Sequence, residues 1–269
     1  MSEPRVLEGR TALVFGAGSS GPGVGNGKAA ALAYARAGAN VVAVDVNGDA
    51  AWQTRDSIAE EGGTAIALTA DVTSSDEVAK AVGAAREAYR TLDILHNNVG
   101  IGTFGGPVEL AEADWDRTIE INMKGAFLAC KHALPPMLEQ GGGVITNISS
   151  IASLGVSPFP FVAYAASKAG LDHLTRSIAV QYAGQGIRAN AILPGVIDTP
   201  MVRGSAAMSE HFGGDVEAAL RERDKMSPTG KSGTAWDVAA AAVFLASDAA
   251  NYINGVLLPV DGGLSCRMS

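Results

Sequence analysis

The sequence predicts an α/β protein: one doubly wound, seven-stranded parallel sheet with helices on both faces, in a single domain over residues 1–269. Three observations carry this. Short apolar runs alternate with helix-favouring segments along the whole chain, which implies parallel strands joined through βαβ crossovers. The runs, such as NVVAV, are continuously apolar, as expected of strands buried on both faces. No linker-like change of composition divides the 269 residues.

The elements follow in order. Thr11–Gly16 (TALVFG) reads as a buried strand that stops at glycine, and a Gly-rich stretch follows to Gly27. Lys28–Ala37 is Ala-rich and helix-favouring, with Gly38 placed to end it. Asn40–Val44 is a second strand that finishes at Asp45. Ala50–Glu61 reads as a helix, and Thr64–Ala70 as a strand ending at Asp71-Val72. Ser74–Tyr89 is a helix with Ser74 or Ser75 as its N-cap. Leu92–Leu95 is a strand running into Asn97-Asn98. A long helix is expected over Asp114–Ala133, with Pro135-Pro136 near its end. Then come a strand Gly143–Ile148, a helix Val162–Tyr182, a strand Ile187–Leu193, a helix Ala235–Leu245 and a last strand Val256–Val260. Met201–Ser232 breaks the rhythm. It leaves the carboxyl end of a strand, where open α/β sheets bind ligands, and its length suits a substrate lid over 201–232. Met201, Met208, Phe212 and Met226 would either line an apolar pocket beneath it, favouring a mostly apolar substrate, or pack the segment against the body; His211, in the same segment, would either touch substrate or be a surface residue.

Composition narrows the partners. Lys and Arg total 20 against 28 Asp and Glu, a net charge of −8, and no basic cluster stands out, so no nucleic-acid partner is expected. No apolar run approaches the ~20 residues that span a bilayer, so no membrane partner is expected. Met1–Arg10 has no apolar secretion core, and two distant cysteines, Cys130 and Cys266, suit a reducing compartment; both point to the cytoplasm. His96, His132, His173 and His211 show no ligand spacing, so no metal is expected.

The strand, Gly-rich turn and helix at 11–37 form a phosphate cradle. Glycines let the backbone approach a pyrophosphate, and the helix N-terminus offers unpaired N–H groups. Gly16, Gly25, Asn26 and Gly27 are the cradle residues, although Gly16 and Gly25 lie farther apart than in G-x-G-x-x-G. The extra residues from Gly18 to Gly23 either wrap the phosphates or bulge into solvent. Asp45, ending the second strand, would accept hydrogen bonds from ribose hydroxyls and repel a 2′-phosphate. No Arg or Lys directly follows it, so NAD is expected rather than NADP.

Tyr164 and Lys168 lie four apart and share a helix face. A phenol with a pKa near 10 is a poor base at neutral pH, and a neighbouring ammonium would lower that value. Tyr164 would then exchange the proton on a substrate oxygen. Ser149-Ser150, at the end of a strand, offers a hydroxyl to share the charge on that oxygen. Asn122 lies inside the long helix, where a buried amide needs a partner. It serves either a proton or water relay or a structural hydrogen bond.

Taken in order, these motifs resemble the single-domain branch of the short-chain dehydrogenase/reductase family, and the resemblance runs from about Leu7 to Gly263. Asp71-Val72 resembles the family's adenine-contacting pair. Asn97-Asn98-Val99-Gly100 resembles its N-N-A-G segment. Pro194, Gly195, Ile197 and Thr199 resemble the segment that holds the nicotinamide. Asn254-Gly255 and Asp261-Gly262-Gly263 resemble its C-terminal signature. The resemblance implies a Rossmann-like fold and a dehydrogenase or reductase acting on a CH–OH group of a small-molecule secondary alcohol or ketone. The catalytic set it implies is Asn122, Ser150, Tyr164 and Lys168. Tyr164 is the acid/base, Lys168 binds the nicotinamide ribose, Ser150 polarises the substrate oxygen and Asn122 holds a water. The cofactor set is Gly16, Gly25, Asn26, Gly27, Asp45, Asp71, Val72, Asn98, Val99, Gly100, Tyr164, Lys168, Pro194, Gly195, Ile197 and Thr199. A homotetramer is implied as well, with the helices Asp114–Ala133 and Val162–Tyr182 pairing across subunits.

Four departures stand out: Phe15 replaces a Thr, the glycine loop is about five residues longer, Val99 replaces an Ala, and the Ser150–Tyr164 interval is one residue longer. The last leaves Ser149 or Ser150 as the hydroxyl, with Ser150 matching the second Ser of the family's pair. The long loop is similar to that of the enoyl-reductase branch, but Tyr-x-x-x-Lys argues against double-bond reduction. A rival class is a dinucleotide sensor or scaffold without turnover, which would have no need of Tyr164, Lys168 and Ser150 together.

Overall fold

The computed structural model describes residues 5–155, 160–204 and 215–267. Seven strands are described in the main sheet: β1 Thr11–Phe15, β2 Asn40–Asp45, β3 Ala65–Thr69, β4 Ile94–Asn97, β5 Gly143–Ile148, β6 Ile187–Pro194 and β7 Leu257–Val260. All pair in parallel, in the order β3-β2-β1-β4-β5-β6-β7. The expected doubly wound sheet is therefore present. The winding reverses between β1 and β4, which opens a crevice at the carboxyl ends of the central strands.

The continuous apolar runs follow from the pleat. Successive side chains of β1 enter opposite cores: Ala12 and Val14 face one, Leu13 and Phe15 the other. The first core is closed by α1 (Asn26–Arg36) and the helix Ala235–Ala246. The second is closed by α3 (Ser75–Tyr89), α5 (Gly125–Glu139) and α6 (Val162–Tyr182). Each fully buried Leu, Ile or Val contributes about 1.5–3 kcal/mol against solvent exposure. Asn47 caps α2 (Gly48–Glu60) and Ser74 caps α3, each accepting from a backbone N–H three residues on.

Three boundaries differ from the sequence expectation. β4 begins at Ile94, because the Gln140 side chain takes both the N–H and the C=O of Leu92, at 3.1 and 2.8 Å. The long helix divides into α4 (Glu112–Ile119), a π-turn Glu120–Lys124 and α5. It runs on to Glu139 through Pro135 and Pro136, and Met137 is fully buried beyond them, beneath Gly143. Within 201–232, the short helix Pro200–Arg203 and the helix Val216–Met226 replace an irregular loop. At its base Ile197–Asp198 pairs with Gly233–Thr234 in a two-residue parallel ribbon.

Two glycines separate propensity from packing. A Cβ on Gly83, inside α3, would meet nothing within 4 Å, so Gly83→Ala should raise stability by about 1 kcal/mol. A Cβ on Gly27 would sit 1.8 Å from the Gly16 carbonyl oxygen. Gly27→Ala should therefore cost several times that, about 3 kcal/mol or more, both changes being read from urea midpoints.

Candidate active site

β1 ends at Gly16, whose φ of +75° turns the chain sharply out of the sheet. Gly27, in the first turn of α1, lies directly over it. The five residues 20–24 are an excursion pinched at its base, where the Gly25 N–H donates to Ser19 Oγ at 2.9 Å. Gly18, Ser19 and Ser20 line the cavity, whereas Gly21 and Gly23 face Pro200. The extra loop residues thus divide between the cavity wall and a side that faces Pro200. Gly25 caps α1 in extended conformation with no side-chain cap, which leaves N–H groups at the helix start unpaired by a capping side chain.

Asp45 ends β2 beside this turn. Its carboxylate accepts from the Gly18 N–H at 2.9 Å and the Asn47 N–H at 3.0 Å. A Cβ on Gly18 would lie 2.8 Å from that carboxylate, so glycine is required for the approach. Asp71 is fixed by Thr73, whose N–H and hydroxyl both donate to it at 2.8 Å. Asn98 donates its side-chain N–H to the Gly16 carbonyl at 3.0 Å.

On the other side of the switch point, α6 carries Tyr164 and Lys168. The Lys168 side chain is buried, and its Nζ donates to the Ile148 carbonyl at the end of β5, at 2.8 Å. Burial pulls its pKa down to about 8, with the Asp172 carboxylate opposing the fall. Nζ lies 5.6 Å from the centre of the Tyr164 ring. The Ser150 side chain lies beside the Tyr164 phenol and acts to lower its pKa. Ser149 is buried instead, donating to the Lys168 carbonyl at 3.3 Å. The geometry therefore brings Ser150, not Ser149, to the phenol.

One expectation is corrected. The ammonium was expected to lower the Tyr164 pKa, but burial dominates and holds the phenol above its ordinary value, with the Ser150 side chain only partly opposing it. The physical reason is desolvation, which disfavours the charged phenolate.

Asn122 sits in the π-turn, a feature that redirects side chains near functional sites. Its Oδ1 accepts from the Ile101 N–H at 2.8 Å. Its Nδ2 donates to the Ile101 carbonyl at 2.9 Å and to Ser167 Oγ at 3.0 Å. The amide is thus engaged at both ends, in the structural hydrogen bonding that a buried helix amide requires.

A cavity of about 1030 Å³ unites these groups. Gly16, Gly25, Asn26, Gly27, Asp45, Asp71, Val72, Asn98, Val99, Gly100, Ser150, Tyr164, Lys168, Pro194, Gly195, Ile197 and Thr199 all line it; Asn122 stands behind the wall. Met201 and Met226 line it too, while Met208, His211 and Phe212 lie outside the described residues.

Comparison with known proteins is decisive at this point. The family model described as enoyl-(acyl carrier protein) reductase matches residues 23–265. The cis-4-hydroxycyclohexanecarboxylate dehydrogenase of Sinomonas cyclohexanicum is 41% identical over 227 residues, covering 84% of this chain and 86% of its own. The D-threitol dehydrogenase of Mycolicibacterium smegmatis is 38% identical over 261 residues, covering 97% and 95%. The crystal structure of a Burkholderia xenovorans protein described as a short-chain dehydrogenase/reductase superposes with a TM-score of 0.91 at 40% identity, covering 98% and 99%. The chain belongs to the short-chain dehydrogenase/reductase family. These are oxidoreductases that work with nicotinamide cofactors.

Within that family frame, sequence reasoning missed several lining residues. Ser19 and Gly18 were hidden inside the irregular glycine loop. Arg117, Arg223 and Arg267 come from three separate segments and carry no motif. Asp172, buried one turn beyond Lys168, was legible only as another i, i+4 pair. Of the histidines, His96 is buried against Tyr34, with Nδ1 3.0 Å from the phenol oxygen, and His132 meets the Ser75 hydroxyl at 2.9 Å. No group of three or more potential metal ligands occurs among the described residues.

The depressed Lys168 pKa has a measurable consequence. Between about pH 8 and 10.5 the unfolded chain keeps a proton that the folded chain has released, so folding gains stability as pH rises through this window. Lys168→Met abolishes this term. The stability of the variant relative to wild type, from urea midpoints, should be highest below pH 8 and should decline to a plateau by about pH 10.5.

Proposed function

We propose that this chain is an NAD-dependent dehydrogenase that interconverts a secondary alcohol and the corresponding ketone, with Tyr164 as general acid/base. The observation that carries the reading is the Ser150 side chain set beside the Tyr164 phenol in the wall of the cavity, with the Lys168 ammonium buried beside them. A substrate oxygen set between the two hydroxyls would exchange its proton with Tyr164 and share its developing charge with Ser150. Lys168 supplies a fixed positive charge under the phenol and a donor for a ribose hydroxyl. Asn122 acts as a positioning residue by holding the Ile101 backbone.

The chain's own residues fit a dinucleotide. The cradle at Gly16, Gly18 and Gly27 is one that a Cβ would fill or force apart. A volume of about 1030 Å³ is at the upper end of small-ligand sites, as expected for a dinucleotide and substrate together. Such a cofactor, when bound, supplies or accepts the hydride. Preference for NAD is supported by Asp45, by exposed Val46 and Asn47 after it, and by the absence of any lysine or arginine in the cavity lining on that loop.

The four-residue Tyr–Lys interval supports carbonyl rather than double-bond chemistry, whatever the description of the matching family model. The relatives' names span a ring hydroxy acid and an uncharged polyol, which supports a secondary alcohol as the common denominator. Met201, Val202 and Met226 in the lining support a substrate cover over 201–232. Phe127 and Val180, exposed on α5 and α6, support pairing of these helices in a homotetramer.

The reading is tested by NADH formation over a panel of secondary alcohols. Tyr164→Phe should lower kcat by about 10²–10⁴-fold, and Ser150→Ala by about 10²–10³-fold. Equal rates in wild type and Tyr164→Phe would instead favour a sensor without turnover. Because burial keeps the phenol protonated, alcohol oxidation should accelerate and ketone reduction should slow as pH rises on the alkaline side. The wild-type ratio of kcat/KM for NAD over NADP should exceed about tenfold, and Asp45→Ala should narrow it, since removing the carboxylate removes its repulsion of a 2′-phosphate.

A further inference from the structure

The cavity separates its charges. Its acidic lining residues, Asp45 and Asp71, both follow the β2 and β3 edge of the sheet. Its cationic lining residues are Arg117, Lys168, Arg223 and Arg267, all away from that edge. No carboxylate accompanies them among the described lining residues. Lys168 is committed to the Ile148 carbonyl, and Arg267 donates to the Met226 carbonyl at 3.2 Å.

Arg117 and Arg223 both line the cavity without an ion pair among the described residues, and Arg223 is set apart by its burial. It lies on the helix Val216–Met226 within the proposed cover, and its Nε is closed off from water with no hydrogen-bond partner. The two carboxylates whose charge reaches it are both held by others. Asp198 is gripped by Arg203 at 2.8 and 2.6 Å. One oxygen of Asp224 accepts from both the N–H and the hydroxyl of Ser232, at 2.7 and 2.6 Å. A guanidinium stays charged even when partly buried, and Arg223 carries that charge in the cavity wall with no ion pair among the described residues. Its planar fork matches a carboxylate in two parallel hydrogen bonds.

We propose that Arg223 is the anchor for a carboxylate on the substrate, so that the compound oxidised or reduced is a hydroxy or oxo acid. This rests on the dehydrogenase reading for which end of the cavity the substrate takes. It also replaces the mostly apolar substrate suggested by the methionines of the same segment. Met201 and Met226 then pack the carbon skeleton while Arg223 fixes its acidic end, with Arg267 contributing charge from beside Met226.

The test is calorimetric titration of cyclohexanecarboxylate and of cyclohexanecarboxamide into the protein with saturating NAD, which needs no turnover. Wild type should bind the carboxylate about tenfold or more tighter than the amide. Arg223→Gln should bring the two within about twofold, and Arg223→Lys should keep part of the difference. NAD affinity should stay unchanged in both variants. Equal affinities in wild type, absence of binding by both probes included, would overturn the proposal, as would selectivity that survives in Arg223→Gln. A fall in NAD affinity in place of the carboxylate effect would assign Arg223 to the dinucleotide phosphates and overturn it too. Failure of the dehydrogenase reading is distinct: no NADH from any alcohol, with carboxylate selectivity intact.

Discussion

An ammonium group shut away from water must find oxygen, and Lys168 finds the last carbonyl of β5. That one hydrogen bond ties the first turns of α6 to the carboxyl end of the central sheet. Gly100 makes room for it, since a Cβ there would approach Nζ to 3.1 Å. Ser149 adds a second tie, from the end of the same strand to the Lys168 backbone. With α6 fixed in this register, Tyr164 one turn earlier has to project over the strand end, where the Ser150 hydroxyl meets it. Tyr164 and Ser150 are thus positioned by satisfying a buried charge.

A polar seam extends this constraint through the core. Asn97 on β4 donates to Asn147 on β5, and Asn147 donates to Thr175 on α6, each at 2.8 Å. Thr175 returns its own hydroxyl to the Leu171 carbonyl. In a low-dielectric interior such bonds are costly to break, because a lost partner leaves a desolvated group behind. Asn122 does for the Ile101 backbone what the seam does for the strands. The π-turn that carries it costs helix regularity, and the three hydrogen bonds of the amide offset this. The site accordingly stands on rigid elements on its α6 side, while its other walls come from the glycine excursion and the segment after β6.

Those two variable walls meet. The excursion at residues 20–24 is closed at its neck by Ser19 and Gly25, and its far side faces Pro200, at the start of the segment after β6. That segment is pinned at its base by the ribbon of Ile197–Asp198 with Gly233–Thr234. The carboxylate of Asp198 is thereby fixed near Arg203, which leaves Arg223 to face the cavity without a carboxylate of its own among the described residues. Charge segregation between the Asp45 edge and the arginine side is a product of where these walls converge.

The sequence by itself determined the sheet, its winding and the reactive pair. Those depend on local periodicity: continuous apolar runs for doubly buried strands, glycine at the sharp exit of β1, and an i, i+4 pair on one helix face. Motif order likewise named many of the cavity-lining residues between Gly16 and Thr199, because these positions sit at strand ends whose place in the fold is fixed by the winding, whereas Gly18 and Ser19 stayed hidden in the irregular glycine loop. Only the tertiary structure decided the rest. Ser150 rather than Ser149 reaches the phenol because a single-residue step at a strand end turns one hydroxyl to the cavity and its neighbour to α6. The direction of the Tyr164 pKa was decided by desolvation of the phenol in its folded surroundings, which has no local signature. Arg117, Arg223 and Arg267 come together from segments about 40 to 150 residues apart, and only the folded chain brings such side chains to one cavity.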